Sequence, residues 1–273
     1  DLTALPPGGG KPRVVTFAQN DLRAVPSLAL AFRPGGAWLL FARYQQGFRP
    51  RGAGIAGPEV LVHAGDRLHA LETGARWSPA GAGIELALSA SYSRWDDILA
   101  EIVSTSGDLM TANIGDGEIG AVEARLNWHP RPGWKLDAGI FVNKSRLTRS
   151  RLGTVALQGE ALPNVPRIGL RAGLEGGWSV RGATRFDWTL NLRYFGRSRI
   201  GSGPALDTGQ GDYLDTGLGL RLGDAHRALR LDVENLFDSA ADRFALGTLY
   251  RIYDRQMTPQ VPRSIRIGFE AKL

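Results

Sequence analysis

The 273-residue chain contains no cysteine, which excludes a disulfide framework and any metal site built from thiolates. It also has no apolar run long enough for a transmembrane helix, which needs about 18 residues or more. The absence of such a run does not exclude a membrane β-barrel, because barrel strands alternate apolar and polar residues and show weak hydropathy. The chain opens at Asp1 without methionine or a leader segment, so we expect that a leader has been removed or that the chain is a fragment.

The chain is basic, with a net charge of +6 and a pI of about 10.0. Such a charge is typical of proteins that bind nucleic acid. The positive charges are mostly single arginines that alternate with apolar residues, however, and they do not gather in a run. We interpret them as a solvated face and predict no nucleic-acid partner.

Apolar and polar residues alternate with a period of two, which is typical of strands with one apolar face. In 184–194, for example, Phe186 and Trp188 lie on one side, and Arg185 and Asp187 lie on the other. A helix would distribute these charges around its circumference. The pattern predicts about eleven strands, near 26–33, 37–46, 67–77, 84–95, 118–128, 134–143, 166–175, 184–194, 213–222, 228–235 and 265–273.

The connections between these strands alternate in length, and many strands are long enough to cross a bilayer at a tilt. Short turns rich in proline and glycine are predicted at 34–36, 78–83, 129–133, 176–183 and 223–227. Long links are predicted at 47–66, 96–117, 144–165, 195–212 and 236–262. This alternation is typical of outer-membrane barrels, whose short turns are periplasmic. We therefore predict an all-β fold, an antiparallel transmembrane β-barrel.

Aromatic residues mark both ends of the predicted strands. Next to the short turns lie Trp38, Trp77, Trp128, Trp134 and Trp178, and near the opposite ends lie Tyr44, Tyr92 and Tyr194. Amphipathic rings favour the headgroup level, so the pattern predicts two aromatic girdles. The face with leucine and isoleucine is expected to meet lipid, as at Leu231, while Asp232 and its equivalents line a wet lumen.

Four segments resemble, in the same order, motifs of the TonB-dependent receptors. Tyr44–Pro50 looks like Y-x-x-G-F-(R/K)-P, where a strand enters an extracellular loop, and Gly115–Glu123 is similar to the N-x-G-x-x-x-x-G-x-E pattern of a downward strand. Val233–Asp238 resembles V-x-N-L-F-D of the penultimate strand, and Pro262–Ile265 resembles the P-R-x-(F/I) start of the last strand. The resemblance covers about residues 26 to 273.

The resemblance implies a larger protein, because family barrels have about 22 strands and a plugged lumen. We expect these eleven strands to be the second half of the barrel, with 1–25 the remnant of an extracellular loop and 26–273 the C-terminal part of the barrel. The plug domain and its TonB-binding segment are expected to lie elsewhere. Hydrogen bonding also favours an incomplete barrel, because an open eleven-stranded sheet would leave the backbone groups of its two edge strands unpaired in hydrocarbon.

The end of the chain departs from the family pattern. Family members usually end on an aromatic residue that the barrel-assembly machinery reads, whereas this chain ends on Leu273, with Phe269 four residues earlier. The resemblance implies that this machinery is a partner. Either insertion is less efficient here, or assembly tolerates leucine.

Several short motifs suggest chemistry that their context excludes. Gly115–Gly120 matches G-x-G-x-x-G, but an alternating strand follows where a dinucleotide site needs a helix. Asp207–Gly209 and Asp215–Gly217 both spell D-T-G, yet they lie too close in sequence to form two aspartic-protease lobes. The histidines show no metal-binding spacing. We predict no enzyme, no metal and no cofactor. A catalytic outer-membrane barrel is an alternative, with His69 facing outward but no evident serine partner.

The resemblance implies a receptor in the outer membrane of a Gram-negative bacterium, with lipid around it. Such a receptor imports a scarce nutrient, here a ferric siderophore, with energy delivered by TonB through the plug. A passive porin is the alternative within transport. Arginines in the upper lumen suit an anionic chelate, and aromatics suit a planar one. The predicted ligand contacts are Arg43, Gln45, Trp95, Arg167, Arg193 and Tyr213.

Overall fold

A computed structural model describes residues 22–56, 59–103, 109–151, 159–201, 206–245 and 254–272, together with the backbone of Leu2–Ala4 and Arg13–Val15. These residues form strands, turns and loops, and none of them belongs to a helix. Over that part of the chain, no helix is therefore long and apolar enough to cross a bilayer.

Eleven strands form one antiparallel sheet in which each strand pairs with its neighbours in sequence. They are β1 (Ser27–Gly35), β2 (Trp38–Arg49), β3 (Asp66–Trp77), β4 (Ile84–Val103), β5 (Leu109–Trp128), β6 (Lys135–Ser150), β7 (Ile168–Arg181), β8 (Thr184–Phe195), β9 (Tyr213–Gly223), β10 (Arg227–Glu234) and β11 (Ser264–Ala271). The two edges are β1 and β11, which do not pair with each other within the described residues. The predicted all-β architecture is confirmed.

One face of this sheet is apolar and exposed. Leu40, Ala75, Leu88, Ala124 and Ile140 are consecutive cross-strand partners from β2 to β6. In this row Leu40, Leu88 and Ile140 are 40%, 55% and 39% exposed. A water-soluble protein rarely exposes so wide an apolar surface, whereas a bilayer would cover it. We call this surface the apolar face.

The opposite surface carries polar side chains at the alternate positions. Arg43, Glu72, Ser91, Ala121 and Asn143 are consecutive partners on the same five strands. Because side chains alternate along a strand, this row points away from the apolar face. We call it the polar face.

The connections divide the sheet into a short-turn end and a long-loop end. The short-turn end carries the connections 36–37, 78–83, 129–134, 182–183 and 224–226. The long-loop end carries 50–65, 151–167, 196–212 and 235–263, together with the far ends of β4 and β5. Aromatic pairs lie towards both ends. Ring centroids are 6.3 Å apart for Trp38 and Trp77 and 4.9 Å apart for Trp178 and Phe186 at the short-turn end, and 5.3 Å apart for Phe195 and Tyr213 at the long-loop end.

The predicted long link at 96–117 is wrong in its bounds, because β4 continues to Val103 and β5 already begins at Leu109, so that each strand is 20 residues long. Two register shifts lie between Trp95 and Leu99, and Asp97 has a φ of 58°. These bulges interrupt the strict alternation that sequence reasoning follows. The extensions are held by an apolar cluster of Ile98, Ile102, Ile114, Leu147 and Leu162, with Trp95 packed against it.

The predicted turn at 176–183 is also too long, since β7 runs to Arg181 and only residues 182–183 turn. Gly176 pairs across the sheet with Trp188, and a Cβ on this glycine would lie 2.7 Å from the indole ring. The glycine therefore makes room for a bulky neighbour inside a strand and does not form a turn.

Candidate ligand-binding site

A cavity of about 450 Å³ lies against the polar face from β6 to β10, under the connection that leads to β11. Its charged lining comprises Asp137, Arg171, Arg193, Asp215, Glu234 and Arg243. None of these six side chains forms an ion pair with the described residues, although charged neighbours pair widely on this sheet. We call it the main cavity, and its three guanidinium groups and three carboxylates are available to a polar ligand.

Aromatic and amide groups border the main cavity near the long-loop end. Tyr213 lies 5.3 Å from Phe195 between ring centroids, and the Arg243 guanidinium is 5.4 Å from the Tyr213 ring centroid. Gln260 is only 9% exposed and donates from Nε2 to the Leu214 carbonyl at 2.7 Å. Its Oε1 is buried without a hydrogen-bond donor in the described part of the chain. Such an acceptor in a cavity wall suits a ligand donor.

A second cavity of about 450 Å³ lies on the polar face of β2 to β6 and contains two of the predicted contacts, Arg43 and Gln45. Arg43 donates to Glu72 at 2.5 Å, so its charge is already balanced by a neighbour. Gln45 lines the same cavity. Arg43 and Gln45 thus lie on the same face, as the alternation predicts. Both lie on β2, several strands away from Arg193 on β8.

Two of the predicted contacts, Trp95 and Arg167, line neither cavity. Trp95 donates from its indole Nε1 to Asp66 at 2.9 Å and packs on the apolar cluster. Arg167 is exposed before β7, and its carbonyl accepts a hydrogen bond from the Asn143 amide at 2.8 Å. The six predicted residues thus occupy several places, with Arg193 and Tyr213 at the main cavity or its rim. Their role in binding stays a prediction.

Of the six charged residues that line the main cavity, sequence reasoning predicted only Arg193, and it also missed Gln260. Arg171 and Asp215 occupy polar positions of the alternating pattern, which was the available signal. Arg243 and Gln260 lie in the connection between β10 and β11, where no periodicity indicates which side chains turn inward. Only the folding of that connection over the sheet brings them to the site.

The V-x-N-L-F-D segment fastens that connection to the sheet. Asn235 is 3% exposed, and its Nδ2 donates to the carbonyls of Ser239 and Val261, both at 2.9 Å. Its Oδ1 accepts from the Ser239 amide at 2.9 Å. Asp238 in turn accepts from the Arg263 amide at 3.1 Å, which ties this motif to the P-R motif before β11. The segments Val233–Asp238 and Pro262–Ile265 together form one structural fastening beside the main cavity.

The Y-x-x-G-F-R-P segment forms a second fastening, between β2, β3 and β4. Its Arg49 forms a bidentate ion pair with Asp66, which is 4% exposed. Asp66 also accepts from the Trp95 indole and from the Leu99 amide, at 2.9 and 3.4 Å. The Asp66 carboxylate therefore joins three strands at the long-loop end.

The N-x-G-x-x-x-x-G-x-E segment supplies a third fastening, at the start of the long β5 strand. Asn113 donates to the carbonyls of Asp97 and Ala64 at 2.7 and 3.2 Å, and it accepts from the Ala64 amide at 2.8 Å. Gly115 has a φ of 140°, and a Cβ there would meet the Arg149 carbonyl. The glycine is required because only it adopts this conformation without a clash.

A further carboxylate holds the long-loop ends of β8 and β9 together. Asp212 accepts from the Tyr194 hydroxyl and from Arg197 Nε, both at 2.8 Å. The hydrogen bond from Tyr194, followed by that from Arg197, lowers the pKa of Asp212. Because the folded pKa is depressed, this contribution to stability is present above the ordinary carboxyl pKa and is lost as the pH falls through the folded value.

Replacing Asp66 with asparagine is expected to lower the free energy of unfolding by about 2 kcal/mol. The amide keeps the size of the side chain, but it loses the charge that Arg49 pairs with and presents donors to the Trp95 indole. A urea titration of the purified protein measures the change. The matched control is Asp187→Asn, whose carboxylate pairs with Arg185 in a more exposed setting and should cost less than about 1 kcal/mol. Equal costs would contradict the assignment of Asp66 as a fastening.

A family profile described as TonB dependent receptor-like, beta-barrel, matches residues 4–236. The chain is 25% identical over 224 residues to the pesticin receptor of Yersinia enterocolitica serotype O:8, a match that covers 80% of this chain and 32% of that protein. The chain thus spans about a third of the length of the curated relatives it matches.

Two solved structures are similar to the fold. The ferric yersiniabactin uptake receptor FyuA from Yersinia pestis superimposes with a TM-score of 0.71 and 21% identity, covering 90% of this chain and 36% of that one. The ferric-catecholate import receptor Fiu from E. coli K12 gives a TM-score of 0.72 and 15% identity, covering 97% and 38%. At these identities the likeness is one of fold.

Proposed function

The chain belongs to the family of TonB-dependent receptor-like β-barrels, and from this we propose that it forms wall and loops of an outer-membrane receptor for energised uptake of a ferric siderophore. The observation that carries the proposal is the eleven-stranded sheet with one exposed apolar face and one polar face. The polar face also carries the main cavity, with its unpaired charges. The proposal includes no catalytic step.

The apolar face supports a place in the outer membrane of a Gram-negative bacterium. Its exposed leucine, isoleucine and valine side chains would meet acyl chains, while the polar face would line the lumen. In this orientation the long-loop end is extracellular and the short-turn end is periplasmic. The ligand would then arrive at the end where the main cavity is bordered by Tyr213, Arg243 and Gln260.

A siderophore is the proposed cargo because the main cavity suits a polar chelate. Three guanidinium groups can bind its oxygen atoms, and three carboxylates with Gln260 Oε1 can accept from its hydroxyl or amide groups. FyuA and Fiu are named for ferric yersiniabactin and ferric catecholate, and the same class of cargo is proposed here.

Energy for uptake is proposed to come from TonB, through a plug domain and a TonB-binding segment outside these 273 residues. The barrel-assembly machinery and outer-membrane lipid are the other proposed partners. Reading the coding sequence upstream of Asp1 tests this part. A plug-sized domain followed by further alternating strands would support energised import, and a start codon with a signal peptide close to Asp1 would contradict it.

The function itself is tested by uptake in iron-starved cells. The intact receptor is expressed in an outer-membrane host that lacks its own siderophore receptors, with and without a working TonB, and radioactive iron is offered as different siderophores. TonB-dependent accumulation with at least one siderophore supports the proposal. Constitutive conductance of the intact protein in a planar bilayer, with no TonB-dependent uptake, would favour the passive porin.

Arg193 offers a test of the main cavity. In the intact receptor, Arg193→Ala is expected to raise the half-saturating siderophore concentration about tenfold, because a hydrogen bond from a charged group to a ligand contributes about 1.5–3 kcal/mol. The control is Arg76→Ala, on the same face but outside the cavity, where the arginine pairs with Glu85 at 3.4 Å. Surface abundance is measured for both. Unchanged uptake by Arg193→Ala would remove this residue from the site.

A further inference from the structure

A group of charged side chains extends the apolar face beyond its aromatic margin at the long-loop end. On β3 to β6, His69, Arg94, Glu118 and Arg146 are consecutive cross-strand partners. This row lies two residues beyond that of Tyr92, on the same face, and therefore about 7 Å further along the strands. These side chains point outward from the barrel wall and not into the lumen.

Positive charge is in excess within this group. The cations are Arg67, Arg94, Lys144 and Arg146, and the carboxylates are Asp96 and Glu118, which leaves two positive charges unbalanced. Arg94 pairs with Asp96 at 3.0 Å, and Arg146 pairs with Glu118 at 3.1 Å. Their side chains are nevertheless 65% and 59% exposed. Arg67 and Lys144 form no ion pair with the described residues. We call these six residues the basic patch.

The excess is local to β3–β6. Further along the long-loop end, Arg197 pairs with Asp212 at 2.8 Å, and Arg199 pairs with Asp207 at 2.8 Å and with Glu160 at 3.5 Å. These two arginines are therefore balanced by the protein's own carboxylates. The basic patch differs because its surplus needs a counter-charge from outside.

A cavity of about 350 Å³ continues the basic patch towards the connection between β2 and β3. It shares Arg67 and Asp96 with the patch and adds Arg23 and Arg51, which also lack an ion pair within the described ranges. Its other carboxylates, Asp66 and Asp97, are already paired with Arg49 and Arg151. Phe48, 36% exposed, provides an apolar wall. The arrangement offers guanidinium groups directly above an apolar surface, as an anionic amphiphile requires.

We propose that the basic patch binds the phosphorylated headgroup of an outer-leaflet lipid whose acyl chains lie on the apolar face below. The proposal rests on the membrane placement proposed above. Three strand spacings separate β3 from β6, so the patch is about 15 Å wide, which is wide enough for a headgroup that carries more than one phosphate. Tyr44 and Tyr92 at the margin mark the depth at which such phosphates lie.

The test measures lipid retention by the purified intact receptor. Wild type and an Arg94→Gln, Lys144→Gln, Arg146→Gln variant are placed in phosphatidylcholine nanodiscs with a small fraction of lipid A, and bound lipid A is counted by native mass spectrometry. The control variant, Arg76→Gln, Arg185→Gln, Arg230→Gln, removes the same charge from the polar face. The patch variant is expected to bind lipid A at least about tenfold more weakly, since each cation near an anionic lipid surface contributes about fivefold.

Equal retention by the patch variant and wild type would overturn the proposal, as would equal binding of dephosphorylated lipid A by wild type. Complete displacement by inorganic phosphate would assign the patch to a free anion and overturn the lipid assignment too. Lys144→Gln alone guards against misfolding, because Lys144 has no ion pair to lose, and a measurable loss is expected. Retention needs no transport, so failure of the uptake test and failure of lipid binding are separate outcomes.

Discussion

Replacing Leu88 with arginine is expected to destabilise the bilayer-inserted fold of the intact receptor by about 2–4 kcal/mol. Leu88 lies on the apolar face of β4, midway between the cross-strand row that contains Trp128 and the row that contains Tyr92. The residue is 55% exposed. In the proposed placement an arginine there would sit near the bilayer midplane, where the charge loses its hydration. Folding titrations in phospholipid vesicles measure the difference.

The neighbouring Ser89 provides the matched control, because it lies in the same strand and faces the opposite side. Ser89 pairs across the sheet with Glu123 on the polar face, so Ser89→Arg would place the new charge beside a carboxylate and water. We expect it to cost less than about 1 kcal/mol. If the two arginines cost the same, the apolar face does not meet lipid, and both the membrane placement and the lipid-binding patch fall with it.

Asn235→Ala is expected to cost about 3–5 kcal/mol, because it removes the side-chain hydrogen bonds by which Asn235 holds the β10–β11 connection. The carbonyl of Val261 and the amide and carbonyl of Ser239 would lose their partner in a part-buried position, and a buried group left unsatisfied costs about 1–3 kcal/mol. Asn235 also has a φ of 49°, a conformation that costs alanine about 1 kcal/mol more than glycine. Urea titration of the intact receptor measures the loss.

Two further variants separate these causes. Asn235→Gly removes the same hydrogen bonds without the backbone strain, so it should recover about 1 kcal/mol relative to alanine. Asn235→Asp keeps the acceptor for Ser239 but loses both donors, and should fall between wild type and alanine. A cost below about 1 kcal/mol for Asn235→Ala would show that the connection holds its place without this residue.

The strands could be predicted because one physical rule governs the bilayer-length part of each of them. Where a strand separates lipid from water, its residues must alternate, and segments such as 184–194 therefore matched β8 to within a residue. Past that part of the strand, apolar and polar residues no longer have to alternate. Bulges between Trp95 and Leu99 and an apolar cluster around Ile114 decide how far β4 and β5 continue, and both depend on contacts from distant segments.

The candidate site was harder to predict for the same reason. Alternation indicates that Arg193 lies on the polar face, but it cannot indicate that Arg243 and Gln260 come down over it from a long connection. The resembling motifs also gave little warning of their roles. Arg49, Asn113 and Asn235 hold backbone segments in place, and each does so through partners far away in sequence.

The strictly sequential pairing of the eleven strands has an evolutionary consequence. Each pair of strands joined by a short turn is a self-contained unit whose only partners are the units before and after it. Deleting or duplicating one such unit would leave all other registers intact and change the circumference of the wall by two strands. Barrels of different girth are therefore accessible through single genetic events, while the fastenings at the long-loop end diversify independently of the wall.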